Sequence, residues 1–256
     1  MQRRDDASHS AATTQPNHIA LSSTAKIMLF ALFVLGCVVF CLRNFSPEIY
    51  DFVILRMTAR WYESVLGALP SKSTLLDVGV GTASALAAHA STVASKDLRV
   101  TGVDYDMKYV AAARRRCEGD ARLAKRVHVR CLSIYDDQLL ATLRPAGGFD
   151  ASYFSGSLSL MPDPAAALRA AAAVTKPGGY IYVTQTFQRR PVPLLRFVKP
   201  LLKYATTIDF GQLTTERDAE AIFAASGLAV LEHEPIAGSV DTRFQRAYRT
   251  VLRVPS

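Results

Sequence analysis

The sequence contains few cysteines and histidines and only one tryptophan: four, five and one among 256 residues. Four scattered cysteines do not form the framework of a disulfide-rich domain, and their positions do not resemble a structural zinc site. Because 50% of the residues are hydrophobic, the chain is too apolar to be disordered, and its 14 glycines lack a collagen-like period. The length suits one domain with a sizeable core, or at most two domains.

Positive charge exceeds negative charge, with 30 Lys and Arg against 22 Asp and Glu and a formal net charge of +8. An excess of positive charge is compatible with binding to nucleic acid, to an anionic membrane surface or to an acidic substrate. The densest basic stretch, 108–130, has Tyr109 as its sole aromatic residue, which disfavours a stacking platform for single strands. We interpret it as a solvated helix face. A second basic stretch, 188–204, is amphipathic, and it fits either a cap over an active site or contact with an anionic membrane.

One long hydrophobic run occupies residues 27–42, between Lys26 and Arg43, and contains no charged residue. Its length approaches the ~20 residues that span a bilayer, and it predicts a transmembrane anchor at 26–43 after a disordered polar leader, 1–25. A cleaved signal peptide is disfavoured by the long leader with its two aspartates, and a buried core helix is the other alternative. The positive residues after the run, set against Lys26 alone before it, place the large carboxy-terminal part in the cytosol.

The remainder of the chain alternates short apolar runs with helical patterns. Predicted strands are 74–78, 98–103, 127–132, 149–154, 180–186, 228–233 and 244–254. Predicted helices are 83–93, 107–117, 138–143, 164–174 and 215–226, with a further amphipathic piece at 193–204. Such alternation is typical of a parallel α/β sheet, and the last two strands could form an antiparallel edge. We therefore predict a connecting helical segment, 44–73, followed by one domain, 74–256.

The first strand runs into a glycine turn, Asp77-Val78-Gly79-Val80-Gly81. Glycines here allow close approach of a ligand, and the next helix presents free N–H groups. A dinucleotide fingerprint would require a third glycine at the position of Ser84, so that motif fails. An acid two residues before the first glycine suits a ligand that carries an ammonium group.

These residues resemble the first motif of the class I S-adenosylmethionine-dependent methyltransferases, an acid followed by three alternating glycines, with Ala83 in place of the third glycine. A second match places Asp104 at the end of the second strand, where a carboxylate can accept both ribose hydroxyls. The third surrounds Ser133, where the family usually has an aspartate that reads the adenine amino group. The fourth and fifth matches to the family's motifs are residues 149–155 and the Lys176–Gly179 turn.

The resemblance implies a seven-stranded Rossmann-like sheet with helices on both faces, and S-adenosylmethionine as the cofactor. The implied cofactor-binding residues are Asp77, Gly79, Val80, Gly81, Asp104, Tyr105, Ser133, Ile134, Asp136, Ser155 and Gly156. A helix-capping role is an alternative for Asp136. Tyr50, Trp61 and Tyr62 of the connecting segment either cover the cofactor or pack in the core.

The methyl acceptor is less well defined by the sequence. A sulfonium methyl is already electrophilic, so the protein chiefly aligns a nucleophile with it, and no catalytic residue or metal ligand is identified. The N/D-P-P-Y/F signature of many nucleic-acid and protein amide methylators is absent. The predicted anchor favours a small or lipid-like acceptor. The alternatives are methylation of a membrane-associated protein, a non-catalytic binding module and, least favoured, an RNA enzyme; the oligomeric state stays open.

Overall fold

A computed structural model describes residues 46–189 and 215–256, all within one compact unit, Cys41–Ser256. The predicted leader (1–25), the predicted anchor (26–43) and the amphipathic piece at 193–204 lie outside the described residues. Among the helices of the described ranges, none combines the length and the apolar character needed to cross a membrane.

The order of the elements follows the alternation expected from the sequence. The helices are α1 (Ser46–Ala68), α2 (Ser84–Ala88), α3 (Ala90–Ser95), α4 (Met107–Glu118), α5 (Asp137–Leu143), α6 (Pro164–Val174) and α7 (Glu216–Ser226). The strands are β1 (Thr74–Val78), β2 (Arg99–Asp104), β3 (Val127–Cys131), β4 (Phe149–Ser155), β5 (Thr175–Gln188), β6 (Ala229–Pro235) and β7 (Gln245–Arg253). A 3₁₀ turn, Leu158–Leu160, follows β4.

The strands form one seven-stranded sheet in the order β3-β2-β1-β4-β5-β7-β6. The first five strands are parallel, whereas β7 is antiparallel to both β5 and β6. The seven-stranded Rossmann-like sheet and its antiparallel edge are thereby confirmed. The chain leaves β1 toward β2 on one side and returns to β4 on the other. This reversal opens a crevice at the carboxyl ends of β1 and β4, where open α/β sheets bind ligands.

Two hydrophobic layers cover the sheet because alternate residues of each strand face opposite sides. Leu75 packs with Leu66 of α1 in one layer, whereas Leu76 packs with Leu168 of α6 in the other. All four of these side chains are fully buried. The predicted connecting segment is therefore part of the core, because α1 supplies one wall of it.

Local side-chain bonds explain where several helices begin. Asp106 accepts a hydrogen bond from Lys108 N at the start of α4, and Asp163 accepts one from Ala166 N at the start of α6. Thr215 and Asp218 form a reciprocal capping box before α7. Short polar side chains satisfy amide groups that the first helical turn leaves without partners.

Two predicted boundaries were wrong. The single helix expected over 83–93 is broken at His89, whose φ of −106° leaves the helical range and whose Nε2 lies 2.8 Å from Ala59 O of α1. Strand β5 begins at Thr175 instead of Tyr180, because Thr175 pairs with Phe149 before a register shift in the β4–β5 ladder. Both differences arise from pairing with distant segments, which local patterns do not report.

Candidate cofactor-binding site

The turn after β1 occupies the crevice at the sheet's reversal. Gly79 N donates to Val103 O at 2.8 Å, which holds the turn against β2. Gly79 has a φ of +74°, and a Cβ added there would lie 2.5 Å from the Cβ of Ser157. Only glycine fits this position without strain, since L-residues avoid the left-handed region and the space is filled. Ser157 also donates to Val78 O, and the sequence did not indicate this packing of Ser157 against the turn.

Ala83 stands where the resembled family has its third glycine, and this replacement leaves the shape of the turn intact. Ala83 adopts a left-handed backbone, with φ of 56°, directly before α2 and is buried. This is the conformation that a glycine would adopt without strain, so surrounding contacts hold the alanine in it. The missing third glycine therefore does not alter the course of the backbone.

Asp77 is fully buried at the base of the turn. Its Oδ2 accepts a hydrogen bond from the Tyr62 hydroxyl at 2.8 Å, while its Oδ1 has no hydrogen-bond partner. Burial raises the pKa of Asp77 to about 7, against the Tyr62 hydrogen bond, which lowers it, and the nearby Asp104 adds to the rise. A buried carboxylate oxygen without a donor suits a cationic or N–H group of a ligand. This arrangement fits the ammonium contact predicted for Asp77.

Asp104 lies across the crevice at the end of β2. Its Oδ2 accepts from Gly81 N at 3.0 Å and its Oδ1 from Asp106 N at 2.9 Å. Burial raises the pKa of Asp104, and the hydrogen bonds from Asp106 and Gly81 oppose that rise. The carboxylate predicted to bind the ribose thus also ties the glycine turn to the following loop.

The residues expected around the adenine surround this same end of the sheet. Tyr105 is 82% exposed, whereas Ile134 is buried. Ser133 Oγ accepts weakly from Tyr135 N at 3.3 Å, and Ser133 O accepts from Asp136 N. Asp136 O in turn accepts from Leu140 N in the first turn of α5, which is the backbone arrangement of a capping residue. The loops after β2 and β3 therefore share one end of the sheet with Asp77.

Ser155 and Gly156 complete the crevice at the end of β4. Gly156 has a φ of +71°, and a Cβ added there would lie 3.2 Å from Trp61 Cζ3. The indole of Trp61 is almost fully buried, and its Nε1 donates to Ser239 Oγ at 2.8 Å. Helix α1 thus supplies two residues to the site, Trp61 and Tyr62. The sequence left open whether they cover the cofactor or pack in the core, and only the fold showed which groups they contact. The side chain of Tyr50 lies outside the described part.

Replacing Tyr62 by phenylalanine should lower the stability of the ligand-free protein by about 1–2 kcal/mol at about pH 8. The reason is that ionised Asp77 would lose the hydrogen bond from the Tyr62 hydroxyl while staying buried. Urea unfolding measures the loss. In an Asp77→Asn background the same change should cost much less, because no charge remains to be stabilised. An equal cost in both backgrounds would show that Tyr62 acts independently of the Asp77 charge.

Comparison with known proteins shows which proteins this chain resembles. Residues 75–179 match the family described as "Methyltransferase domain". The Synechocystis 2-methyl-6-phytyl-1,4-hydroquinone methyltransferase is 28% identical over 84% of this chain and 60% of its own length. The phosphatidylethanolamine N-methyltransferase of Cereibacter sphaeroides is 27% identical over 67% of this chain and 79% of its own. The Bordetella bronchiseptica ubiquinone biosynthesis O-methyltransferase is 32% identical over 53% of this chain and 51% of its own.

The chain thus spans between about half and four fifths of these curated relatives. Solved structures share the fold at lower identity. Geranyl diphosphate C-methyltransferase of Streptomyces coelicolor, solved with S-adenosyl-L-homocysteine, superposes with a TM-score of 0.57 at 15% identity over 77% of this chain and 78% of its own. The crevice at the sheet's reversal, its buried acid and the match over residues 75–179 make the globular part of this chain similar to the S-adenosylmethionine-dependent methyltransferases.

Proposed function

We propose that this protein transfers a methyl group from S-adenosylmethionine to a small, lipid-like acceptor. The observation that supports the acceptor class is the set of curated relatives, whose names refer to ubiquinone biosynthesis, a phytyl hydroquinone and phosphatidylethanolamine. Each of these names contains either a quinone-type ring or a phospholipid. An acceptor of this kind reaches the domain from a membrane.

The bound cofactor supplies an electrophilic methyl group, and the work of the chain is to hold and orient. Asp77, with its free buried Oδ1, is placed to accept a hydrogen bond from the ammonium end of the ligand. Asp104, at the end of β2, would accept hydrogen bonds from ribose hydroxyls in addition to the one that it accepts from Gly81 N. Alignment of the two reactants contributes a large part of such a rate enhancement, since it replaces a bimolecular encounter with a fixed geometry.

We further propose that residues 26–43 anchor the domain in a membrane, with the catalytic part facing the cytosol. The support is the uncharged apolar run and the placement of positive residues after it. Deleting 1–43 should then reduce methylation of the membrane acceptor in cells while leaving cofactor affinity unchanged. Unchanged methylation in cells would contradict the anchor.

Incubating membranes with radiolabelled cofactor and the full chain should place the label in the lipid extract. Gly79→Ala serves as the variant with a damaged cofactor site, and Gly67→Ala as its matched control, because a Cβ at Gly67 meets nothing within 4 Å. Label in a protein band would instead favour methylation of a membrane-associated protein.

A second candidate, a cofactor-binding module without methyl transfer, has one specific observation behind it. The fold superposes on the [4+2]-cyclase SpnF with a TM-score of 0.59 at 20% identity, over 77% of this chain and 81% of the other. The same architecture therefore accommodates other chemistry. Cofactor binding by calorimetry without label in either fraction would favour this candidate. Absence of cofactor binding would contradict both.

A further inference from the structure

Two hydroxyl side chains lie on one face at the carboxyl ends of neighbouring strands, Ser155 on β4 and Thr186 on β5. Tyr153 lies on the face that α1 covers, because its ring meets Tyr62 edge-on at 5.1 Å. Ser155 follows by two positions and shares that face. The Thr184 hydroxyl pairs with the Tyr153 hydroxyl at 2.9 Å, so Thr184 and, two residues later, Thr186 also point to this side.

Neither hydroxyl has a hydrogen-bond partner, although both oxygen atoms are buried. Ser155 Oγ lies within reach of the Tyr153 hydroxyl but makes no bond of acceptable geometry with it, and that hydroxyl is already paired with Thr184. A buried polar group left unpaired costs about 1–3 kcal/mol. Thr186 lies two residues beyond Thr184, the residue that pairs with Ser155 in the β4–β5 ladder. Two unpaired hydroxyls so placed on one face are a binding opportunity, because a ligand that pairs with both recovers that cost.

The indole of Trp61 covers this place. It contacts the position of a Gly156 Cβ, next to Ser155, and it clusters with Ala247, which is directly opposite Thr186 in the β5–β7 ladder. The bond from Nε1 to Ser239 holds the ring there. A ligand that reaches the two hydroxyls must therefore displace or slide the Trp61 ring.

Among the described residues, the arginine next to Trp61 in α1 and the one opposite Thr184 in β7 are paired with carboxylates. Arg60 forms an ion pair with Glu63 at 2.7 Å, and Arg249 forms one with Glu232 at 2.9 Å. Arg249 Nε has no acceptor, but its guanidinium charge is balanced by that carboxylate. A phosphate group would have to break these pairs, whereas a neutral hydroxyl would not. The two unpaired hydroxyls therefore fit a neutral donor or acceptor group.

We propose that Ser155 and Thr186, under Trp61, form a subsite for the neutral hydroxyl-bearing ring of the acceptor, a phenol or hydroquinone. The subsite adjoins Gly156 on the cofactor side, which places the ring's oxygen near the reacting end of the crevice. The inference rests on the proposed methyl transfer, but the binding it describes is measurable without turnover.

Trp61 is the chain's single tryptophan, so its emission reports the subsite directly. The full chain in detergent is titrated with a short-chain alkyl hydroquinone and, separately, with a short-chain phosphatidylethanolamine, with emission corrected for probe absorbance. Thr186→Val removes one hydroxyl at nearly constant shape, and Ser155→Ala removes the other. Thr92→Val on α3 is the matched control, because it makes the same change far from the crevice.

The hydroquinone should change Trp61 emission saturably in the wild type and in Thr92→Val. Its dissociation constant should rise about tenfold in Thr186→Val and further in the double variant. Cofactor affinity of Thr186→Val should stay unchanged, and its melting temperature should not fall, because an unpaired hydroxyl contributes no bond. Equal hydroquinone affinity in Thr186→Val and wild type, or saturable binding of the phospholipid alone, would overturn the subsite. Loss of cofactor binding by the wild type would instead overturn the proposed function.

Discussion

Replacing Gly79 by alanine should destabilise the protein by about 2–5 kcal/mol and abolish measurable cofactor binding. A left-handed backbone costs a non-glycine residue about 1–2 kcal/mol, and overpacking costs about 1–3 kcal/mol more. The overpacking is specific, since the new Cβ would lie 2.5 Å from the Cβ of Ser157. Urea unfolding and calorimetry with S-adenosylmethionine measure the two effects. The binding loss follows because the turn must move away from Ser157 to relieve the contact.

Two further variants test the cause of this effect. Gly67→Ala makes the same chemical change in α1 at a position with open space, and it should leave binding intact. Ser157→Gly removes the colliding atom together with the bond to Val78 O, so the cost of Gly79→Ala is measured within that background, where only the backbone strain should remain. An equal cost of Gly79→Ala with and without Ser157→Gly would show that the collision is not the source of the loss.

Replacing Asp77 by asparagine should stabilise the ligand-free protein by about 2–4 kcal/mol at about pH 8, while weakening cofactor binding at least about tenfold. Folding raises the pKa of Asp77 from 3.8 to about 7, chiefly through burial. The ionised carboxylate is therefore held in the fold at a cost, which asparagine avoids. Its side-chain oxygen can still accept the Tyr62 hydroxyl. Thermal unfolding and calorimetry measure the opposite changes in stability and affinity.

The sign of the pH dependence follows from proton uptake. Between the unfolded pKa of 3.8 and the folded pKa of about 7, the folded state binds more protons than the unfolded state. The free energy of unfolding of the wild type therefore falls as pH rises through this window. The advantage of Asp77→Asn should appear above about pH 4 and be complete above about pH 7.

Glu220→Gln on α7 is the control, because it removes an exposed carboxylate and should change stability by less than about 0.5 kcal/mol. A stability difference between Asp77→Asn and wild type that is constant across the window would show that Asp77 titrates normally. Unchanged cofactor affinity in Asp77→Asn would contradict the predicted ammonium contact.

The strands were predictable because each is a short apolar run bounded by turn residues. Strand β1 matches its predicted range, Thr74–Val78, and the order of elements follows the expected alternation. That the glycine turn and the acids at the ends of β1 and β2 lie near each other was also predictable, because parallel strands bring their carboxyl ends to one edge of the sheet. The break at His89 and the early start of β5 could not be predicted from the sequence, since both depend on contacts with other segments.

The sequence by itself determined the alternating α/β pattern, the glycine turn with its acid and the apolar run at 27–42. These features are local, and each needs only neighbouring residues to be recognised. The tertiary structure alone decided which groups complete the site. The bond between Tyr62 and Asp77 spans 15 residues, that between Ser157 and Val78 spans 79, and that between Trp61 and Ser239 spans 178. Such pairs form only when core packing brings distant segments together. No local pattern therefore encodes the raised pKa of Asp77, the lack of space for a side chain at Gly79 or the position of the Trp61 ring over Thr186.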